Sequence, residues 1–394
     1  GGTFQLTGDM EFDALTVSNG DHLDLNGQRA VLSSTLTANS GSTIDVDGMI
    51  IASGDLDIAS ATVNNSASAT IIHTNSASKN TDLPDATFKA IAMLGSDEIE
   101  MMRSSNLGTT PIFIGGGGSS PVDFKDNITC GNFTVANGGV FNASGDTLTC
   151  AGDFTTSGGL IGKSALDFDR VDDYVDLSND SAWQFGTDNF TLEAWFRVDG
   201  GSSNRTIIAN GDAGQSGGWL LYMQSGNNIA FYANGVKVAD ANDADYEDSK
   251  YHHVAAVRDG NDYLLYIDGK LKDKSTQSAF NLTHNGKASI GARNLSGGAD
   301  AFFEGQIAMV RVFKGASGGA RTQSELRADM FNDFASMADT TDLIAMYQFD
   351  EGTGSTVDNI QTNAALDGTI SSASFVGAGT FTYGTSTLVM SGDG

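Results

Sequence analysis

Two acidic groups are the parts of this chain best suited to chemistry. Asp169, Asp172 and Asp173 fall within five residues, and Asp240, Asp243, Asp245, Glu247 and Asp248 within nine. Clustered carboxylates are what calcium requires, since the ion takes roughly six to eight oxygen ligands. The longer acidic stretch also suits a solvated turn. A second set carries the groups a sugar site needs: Asn204, Arg205, Asp212, Gln215, Asn294 and Asp300 for hydroxyls, and Trp219 as a ring against sugar C–H faces. Trp183, Trp195 and Trp219 fit a core as well. The chain has two cysteines, Cys130 and Cys150, 20 residues apart. No basic residue lies near them in sequence to lower a thiol pKa.

These groups need a scaffold, and the first 75 residues show one by repetition. Leu15-Thr16-Val17, Leu36-Thr37-Ala38 and Leu56-Asp57-Ile58 recur at spacings of 21 and 20. Turn residues such as Ser18-Asn19-Gly20 follow, and then alternating strands such as Leu23-Asp24-Leu25 or Ile44-Asp45-Val46. Alternation of period two puts the apolar residues on one face. A coil of about twenty residues that buries its face only by stacking on the next is a β-solenoid rung. Residues 1–75 are therefore read as solenoid-like repeats and 128–160 as further rungs. There, Ile128-Thr129-Cys130 and Leu148-Thr149-Cys150 set the cysteines in neighbouring rungs, as stacked thiols or as a disulfide.

Residues 76–127 fit the pattern poorly and are expected to be an irregular or small β connection. Gly115 to Gly118 lack the Lys-Ser/Thr ending of a phosphate loop and read as a hinge. Residues 372–394 read as a C-terminal β repeat, because Gly379-Thr380-Phe381-Thr382 resembles Gly2-Thr3-Phe4-Gln5. Open strand edges at such ends also suit pairing between sister subunits.

Composition bounds the function. Of 394 residues, 40% are hydrophobic and 49 are glycine, which suits β architecture with tight turns. The formal net charge of −28 disfavours nucleic acid and anionic membranes as partners. No apolar run is long enough to cross a bilayer. The opening Gly1-Gly2-Thr3 carries no methionine or signal peptide and is expected not to be a natural translation start.

Between 161 and 371 the residues change character. Phe190, Leu192, Ala194 and Phe196 alternate with Thr191, Glu193, Trp195 and Arg197, and short strands separated by Asp-Gly and Asn-Gly turns indicate an antiparallel sandwich. One helix is signalled, from Thr322 to Phe331, with Thr322 as cap and Glu325 three residues on. Ala165-Leu166-Asp167-Phe168-Asp169, Asp172-Asp173-Tyr174-Val175, Asn189 to Phe196, Tyr251-His252-His253-Val254-Ala255, Leu265 to Lys270, Ala288 to Gly291, Phe303 to Phe313 and Ala345 to Asp350 follow in order. In that order they resemble the laminin-G-like, concanavalin A-type jelly rolls.

The resemblance covers about half the chain and implies an all-β jelly roll flanked by solenoid-like repeats. It implies a lectin-like module that contacts a glycan, and often a calcium ion at the rim. Here Ile307 is followed by Ala308 and Met309 where many relatives have an acidic residue, which counts against the family-type ion. The glucanases that share the fold need paired carboxylates, typically Glu-x-Asp-x-x-Glu, and none occurs here. His252 and His253 stand where the family has strand residues, so no enzyme is expected. The expected role is an extracellular structural or adhesion protein, of the kind seen in phage fibres and bacterial surface appendages. The alternatives are an architectural subunit whose jelly roll contacts sister subunits, and a secreted glycan hydrolase with an accessory module.

Overall fold

The computed structural model describes all residues except 116–120, 143–144, 157–158, 201–203, 213, 243–245, 279, 296–297, 362–363, 378–379, 383–386 and 391–394. The chain divides into two compact units, Gly1–Leu160 with Ala378–Gly394, and Ile161–Gly377. Among the described residues no helix is long and apolar enough to cross a membrane.

The first unit is a parallel β-solenoid whose rungs have three faces. The chain visits the faces in turn: Thr3–Gln5, Met10–Phe12 and Leu15–Val17 open the cycle, and His22–Asp24, Arg29–Leu32 and Leu36–Ala38 repeat it. Each strand pairs in register with its counterpart one rung on. One column reads Met10, Ala30, Ile50, Ile71, Ile91, Ile112, Phe133 and Phe154, and is buried from Ala30 to Phe133. The Leu15, Leu36 and Leu56 triplets stack in register, as their spacing requires.

Residues 76–127, expected to be an irregular or small connection, instead continue the stack. Lys79–Asp82, Ala90–Met93, Ile99–Met101, Ile112–Ile114 and Val122–Phe124 are rung strands of the same sheets. Only the first face is interrupted, between Thr62–Asn64 and Ser105–Asn106, where Pro84 lacks the N–H that a ladder requires. Of the glycine hinge, Gly115 is buried, and Gly116, Gly117 and Gly118 lie outside the described residues.

The last rung is split. Its second-face strand is Phe154–Thr156, and the chain then runs through the whole second unit before supplying Thr380–Thr382 and Thr387–Met390 to the other two faces. Thr380–Thr382 pairs with Val140–Asn142, whereas Thr3–Gln5 belongs to the face that Thr387–Met390 extends on the far side of the interruption. The likeness of the two Gly-Thr-Phe segments therefore does not mark equivalent rung positions.

Within the second unit the end strands Leu166–Asp169 and Ser374–Phe375 pair with each other, so its two ends are neighbours. Removing Ile161–Gly377 would leave six residues, 157–160 and 378–379, between Thr156 and Thr380. Connections at the same corner of other rungs run from two to seven residues. The excised chain is expected to fold as a continuous solenoid, retaining a cooperative β-sheet unfolding transition by circular dichroism. Loss of that transition would show that the rungs depend on the inserted unit.

His73 sits in an interior column between Ala52 and Met93, fully buried, and neither ring nitrogen has a hydrogen-bond partner. Burial, opposed by Asp55, lowers its pKa from 6.5 to about 4. The unfolded chain thus binds this proton before the folded one, and the stability linked to neutral His73 is lost as pH falls from 6.5 towards 4. His73→Leu is expected to raise the solenoid's Tm more at pH 5 than at pH 7. An equal shift at both pH values would contradict the assignment.

The second unit is an antiparallel sandwich. Sheet I runs Lys270–Thr276, Asp262–Ile267, Tyr251–Asp259, Phe190–Val198, Glu304–Lys314, Leu166–Asp169 and Ser374–Phe375, with Leu343–Tyr347 also paired to Glu304–Lys314. Sheet II runs Val236–Ala241, Ile229–Ala233, Trp219–Met223, Arg205–Asn210, Ala288–Ile290, Tyr174–Asp176, Gly368–Ser371 and Thr356–Val357. Phe190, Leu192, Trp219, Leu221, Phe231, Tyr263 and Ile290 lie in the core between them. The helix Gln323–Asp329 starts at Thr322, whose side chain accepts from the Glu325 N–H while the Glu325 carboxylate accepts from the Thr322 N–H.

Candidate glycan-binding face

Strand alternation decides which aromatic rings leave the core of the sandwich. In Trp219–Met223 and Ile229–Ala233, the residues Trp219, Leu221, Met223, Ile229, Phe231 and Ala233 point inward, and Leu220, Tyr222, Ala230 and Tyr232 cluster on the outer side of sheet II. Tyr222 and Tyr232 meet edge to face, with ring centroids 5.5 Å apart. The Gln224 amide donates to both hydroxyls, at 3.2 Å to Tyr222 and 3.3 Å to Tyr232. Burial, reinforced by Tyr232, pushes the Tyr222 pKa up to about 12, so the Tyr222 phenol stays a neutral donor and acceptor at ordinary pH.

The hairpin Arg293–Leu295 and Gly298–Asp300 packs beside Arg205–Asn210. Its Arg293 is opposite Asp300 and donates to it through Nε at 2.9 Å and Nη2 at 2.8 Å, while Nη1 bonds Asp212. Asp212 also donates its N–H to Gln215 Oε1 at 2.9 Å. Three residues expected at a sugar site, Asp212, Gln215 and Asp300, are thus joined through Arg293. Asn294 lies on the same hairpin, and its side chain is outside the described set.

The other expected ligand residues are elsewhere. Trp219 is fully buried, stacked on Phe185 at 4.7 Å, with its indole N–H donated to the Trp183 carbonyl. It cannot be a platform, because alternation turns it inward. Arg205 is equally buried and bonds Glu247 and Asn227. Asn204, at the far end of that strand from Asp212, accepts from the Ser225 N–H. Sequence reasoning missed Tyr222, Tyr232, Gln224 and Arg293, although the period-two pattern that turns Trp219 inward is the same signal that turns Tyr222 and Tyr232 outward; Tyr222 is covered to 4% exposure and Tyr232 is the half-buried ring of the pair.

The two acidic groups behave differently. Asp169, Asp172 and Asp173 bring one carboxylate oxygen each within 4.8 Å of one another. Burial and the neighbouring Asp169 and Asp172 carboxylates, opposed by the Asp169 N–H, push the Asp173 pKa up to about 6. A divalent cation would relieve that repulsion, so the trio fits calcium in charge and donor type. In the acidic loop, by contrast, each described carboxylate has its own cation. Asp240 pairs with Lys237, Glu247 with Arg205, and Asp248 with His252 and Lys250. Among the described residues Asp240, Glu247 and Asp248 do not converge into a group of three carboxylates, and Asp243 and Asp245 lie outside the described residues. In a further trio in the solenoid, Glu98, Glu100 and Asp123, the Lys125 ammonium lies 2.8 Å from Glu100 and 2.6 Å from Asp123, and Glu98 accepts from the Ser78 hydroxyl.

His252 lies between Asp268, 2.8 Å away, and Asp248, 3.1 Å away. Burial opposes its charge, but the two carboxylates outweigh it and push the pKa up to about 10. Stability from this triad is fully present below pH 6.5 and is lost as pH rises through about 10. The cysteines stack in register as buried thiols with no disulfide between them. Contact with Cys150 and burial push the Cys130 thiol up, away from reactivity.

Residues 169–325 match the family described as the concanavalin A-like lectin/glucanases superfamily. The sandwich is a laminin-G-like domain. Among solved structures, a Bacteroides ovatus protein to which carbohydrate binding is ascribed is similar at 20% identity and a TM-score of 0.43, over 55% of this chain and 61% of that one. The chain thus spans about three fifths of that protein. The CBM40 of Ruminococcus gnavus IT-sialidase, bound to α2,3-sialyllactose, is similar at 19% identity and a TM-score of 0.35, over 41% of this chain and 95% of that one. Domains LG4-5 of the mouse laminin α1 chain are similar at 18% identity and a TM-score of 0.31, over 38% and 41% of the two chains. Comparison with curated proteins finds no match. In the laminin-G-like domain Glu193 is 1% exposed and bound to His253 and Arg311, so it does not reach a surface where a glycosidic bond would lie.

Proposed function

We propose that the laminin-G-like domain binds a glycan on the outer side of sheet II, and that the solenoid is a stalk presenting it at an extracellular surface. The observation that carries this reading is the Tyr222–Tyr232 pair with Gln224 between the hydroxyls and the Arg293, Asp212 and Asp300 groups alongside. Aromatic rings pack against sugar C–H faces while nearby carboxylates and amides orient hydroxyls. The role is binding without hydrolysis, since Glu193 is committed to a buried network. A virion fibre or a bacterial surface adhesin, associated with sister subunits, is the setting that an acidic repeat stalk with a lectin-like module suits best. The direct test is a glycan array probed with the full chain. Saturable binding to a defined glycan is expected, and an array without binding would favour the architectural role.

Calcium belongs to this proposal at Asp169, Asp172 and Asp173, where it would neutralise three converging carboxylates. Because a ligand of the folded state stabilises it, calcium is expected to raise the Tm of the sandwich and a chelator to reverse the rise. Asp173→Asn should abolish the response. A Tm indifferent to calcium in the wild-type chain would remove the ion from the account.

A further inference from the structure

We infer that the outer face of sheet II selects neutral hexose-containing glycans and excludes those carrying carboxylate or sulfate groups. The inference rests on the glycan-binding reading and narrows it to a ligand class. It comes from what the cations beside the tyrosine pair already hold. Arg293, whose charge acts on Tyr222, is engaged by Asp300 through two nitrogens and by Asp212 through the third. Asp300 is its directly opposite partner in a short hairpin, so the pair is prearranged before any ligand arrives. Lys237 is opposite Tyr232 on the neighbouring strand and is bonded to Asp240, with Asp273 also close. Arg205 is buried against Glu247 on the other side of the strand.

An acidic sugar would have to displace Asp300 or Asp240 from its cation and would then face Asp212 or Asp273 without compensation. A neutral sugar meets no such cost. Its hydroxyls find acceptors in the Asp212 and Asp300 carboxylates and both donors and acceptors in the phenols and the Gln224 amide. The chain's net charge of −28 adds long-range repulsion of polyanions.

The test titrates the full chain with two sets of probes. The neutral set is laminarihexaose, mannohexaose and galactan oligosaccharides. The acidic set is 3′-sialyllactose, oligogalacturonate and chondroitin sulfate. Wild-type chain is expected to bind at least one neutral probe roughly tenfold tighter than any acidic one, with little change on raising salt, and Tyr232→Ala should weaken that binding. Asp300→Asn, which takes the carboxylate from Nε and Nη2 of Arg293 and leaves only Asp212 on Nη1, should gain affinity for oligogalacturonate. Acidic probes bound as tightly as neutral ones, and weakened by Tyr232→Ala, would overturn the charge exclusion while leaving a glycan-binding face. An Asp300→Asn chain whose affinity for oligogalacturonate is unchanged would contradict the assignment of exclusion to these carboxylates. Binding untouched by Tyr232→Ala would place the site elsewhere, and no binding by either set would bring down the glycan-binding reading itself.

Discussion

Glu193→Ala is expected to cost the laminin-G-like domain about 3–5 kcal/mol, because it strands the partners of a buried charge. Glu193 is 1% exposed on the side of sheet I that faces the helix Gln323–Asp329. Its carboxylate bonds His253 at 3.2 Å and Arg311 at 3.4 Å. Arg311 also donates to the Asp329 carbonyl at 2.9 Å and to the Asn332 carbonyl. Arg321 bonds the Asp329 carboxylate at 2.7 Å, and the Trp195 indole N–H donates to Met330. The network therefore fastens the helix and the residues after it to the sheet. Burial opposes ionisation of Glu193, yet His253, Arg311 and Arg321 hold its carboxyl below the ordinary range. The stability it contributes is present above the ordinary carboxylate pKa and is lost as pH falls through the lower folded value. Thermal unfolding of the sandwich reads the substitution directly. A loss below about 1 kcal/mol would show that the pair is not desolvated as described.

Phe133→Ala is expected to destabilise the solenoid by a similar amount, about 3–5 kcal/mol. Phe133 is fully buried and touches rings on all sides: Phe141 at 4.7 Å, Phe154 stacked at 5.6 Å and Phe124 at 6.0 Å. A rung has a narrow core, so few neighbours can move into the space a phenyl ring leaves, and stacking transmits the gap to the rungs above and below. Denaturant unfolding should show a lower midpoint for the solenoid transition and an unchanged one for the sandwich. A shift confined to the sandwich would contradict the division into two units.

The solenoid was legible where its strands alternate. Ile44 is buried between half-buried Thr43 and Asp45, and that contrast appears in the residue types. It was illegible in 76–127 because Ala90–Met93 is buried on both faces, which erases alternation. Polar residues at buried positions, Thr81, Ser105, Thr110 and Asp123, blurred the pattern further. The jelly roll was legible because its strands are long and ordered along the chain. The structure scatters some of the residues expected at a sugar site and brings others together. Asp212, Gln215 and Asp300 do come together, but through Arg293, whose pairing depends on a hairpin register that residue types do not announce. Trp219 drew attention as the largest ring, while the outer side of the sheet carries the buried Leu220 and Tyr222 with the half-buried Tyr232 packed against them. The acidic loop misled because carboxylate density in sequence says nothing of the lysine, arginine and histidine that fold against it.

The most direct measurement is calorimetric titration of the best array glycan into wild-type chain and into Tyr232→Ala. Tyr232 is half-buried on the outer face and lies outside the core between the two sheets, so the variant should remain folded with a small loss of Tm from its contacts with Tyr222 and Gln224. Its affinity should fall by about 2 kcal/mol, roughly thirtyfold in Kd, as expected for an aromatic anchor. An unchanged Kd in a folded Tyr232→Ala chain would contradict the claim that the outer side of sheet II is where this protein meets its glycan.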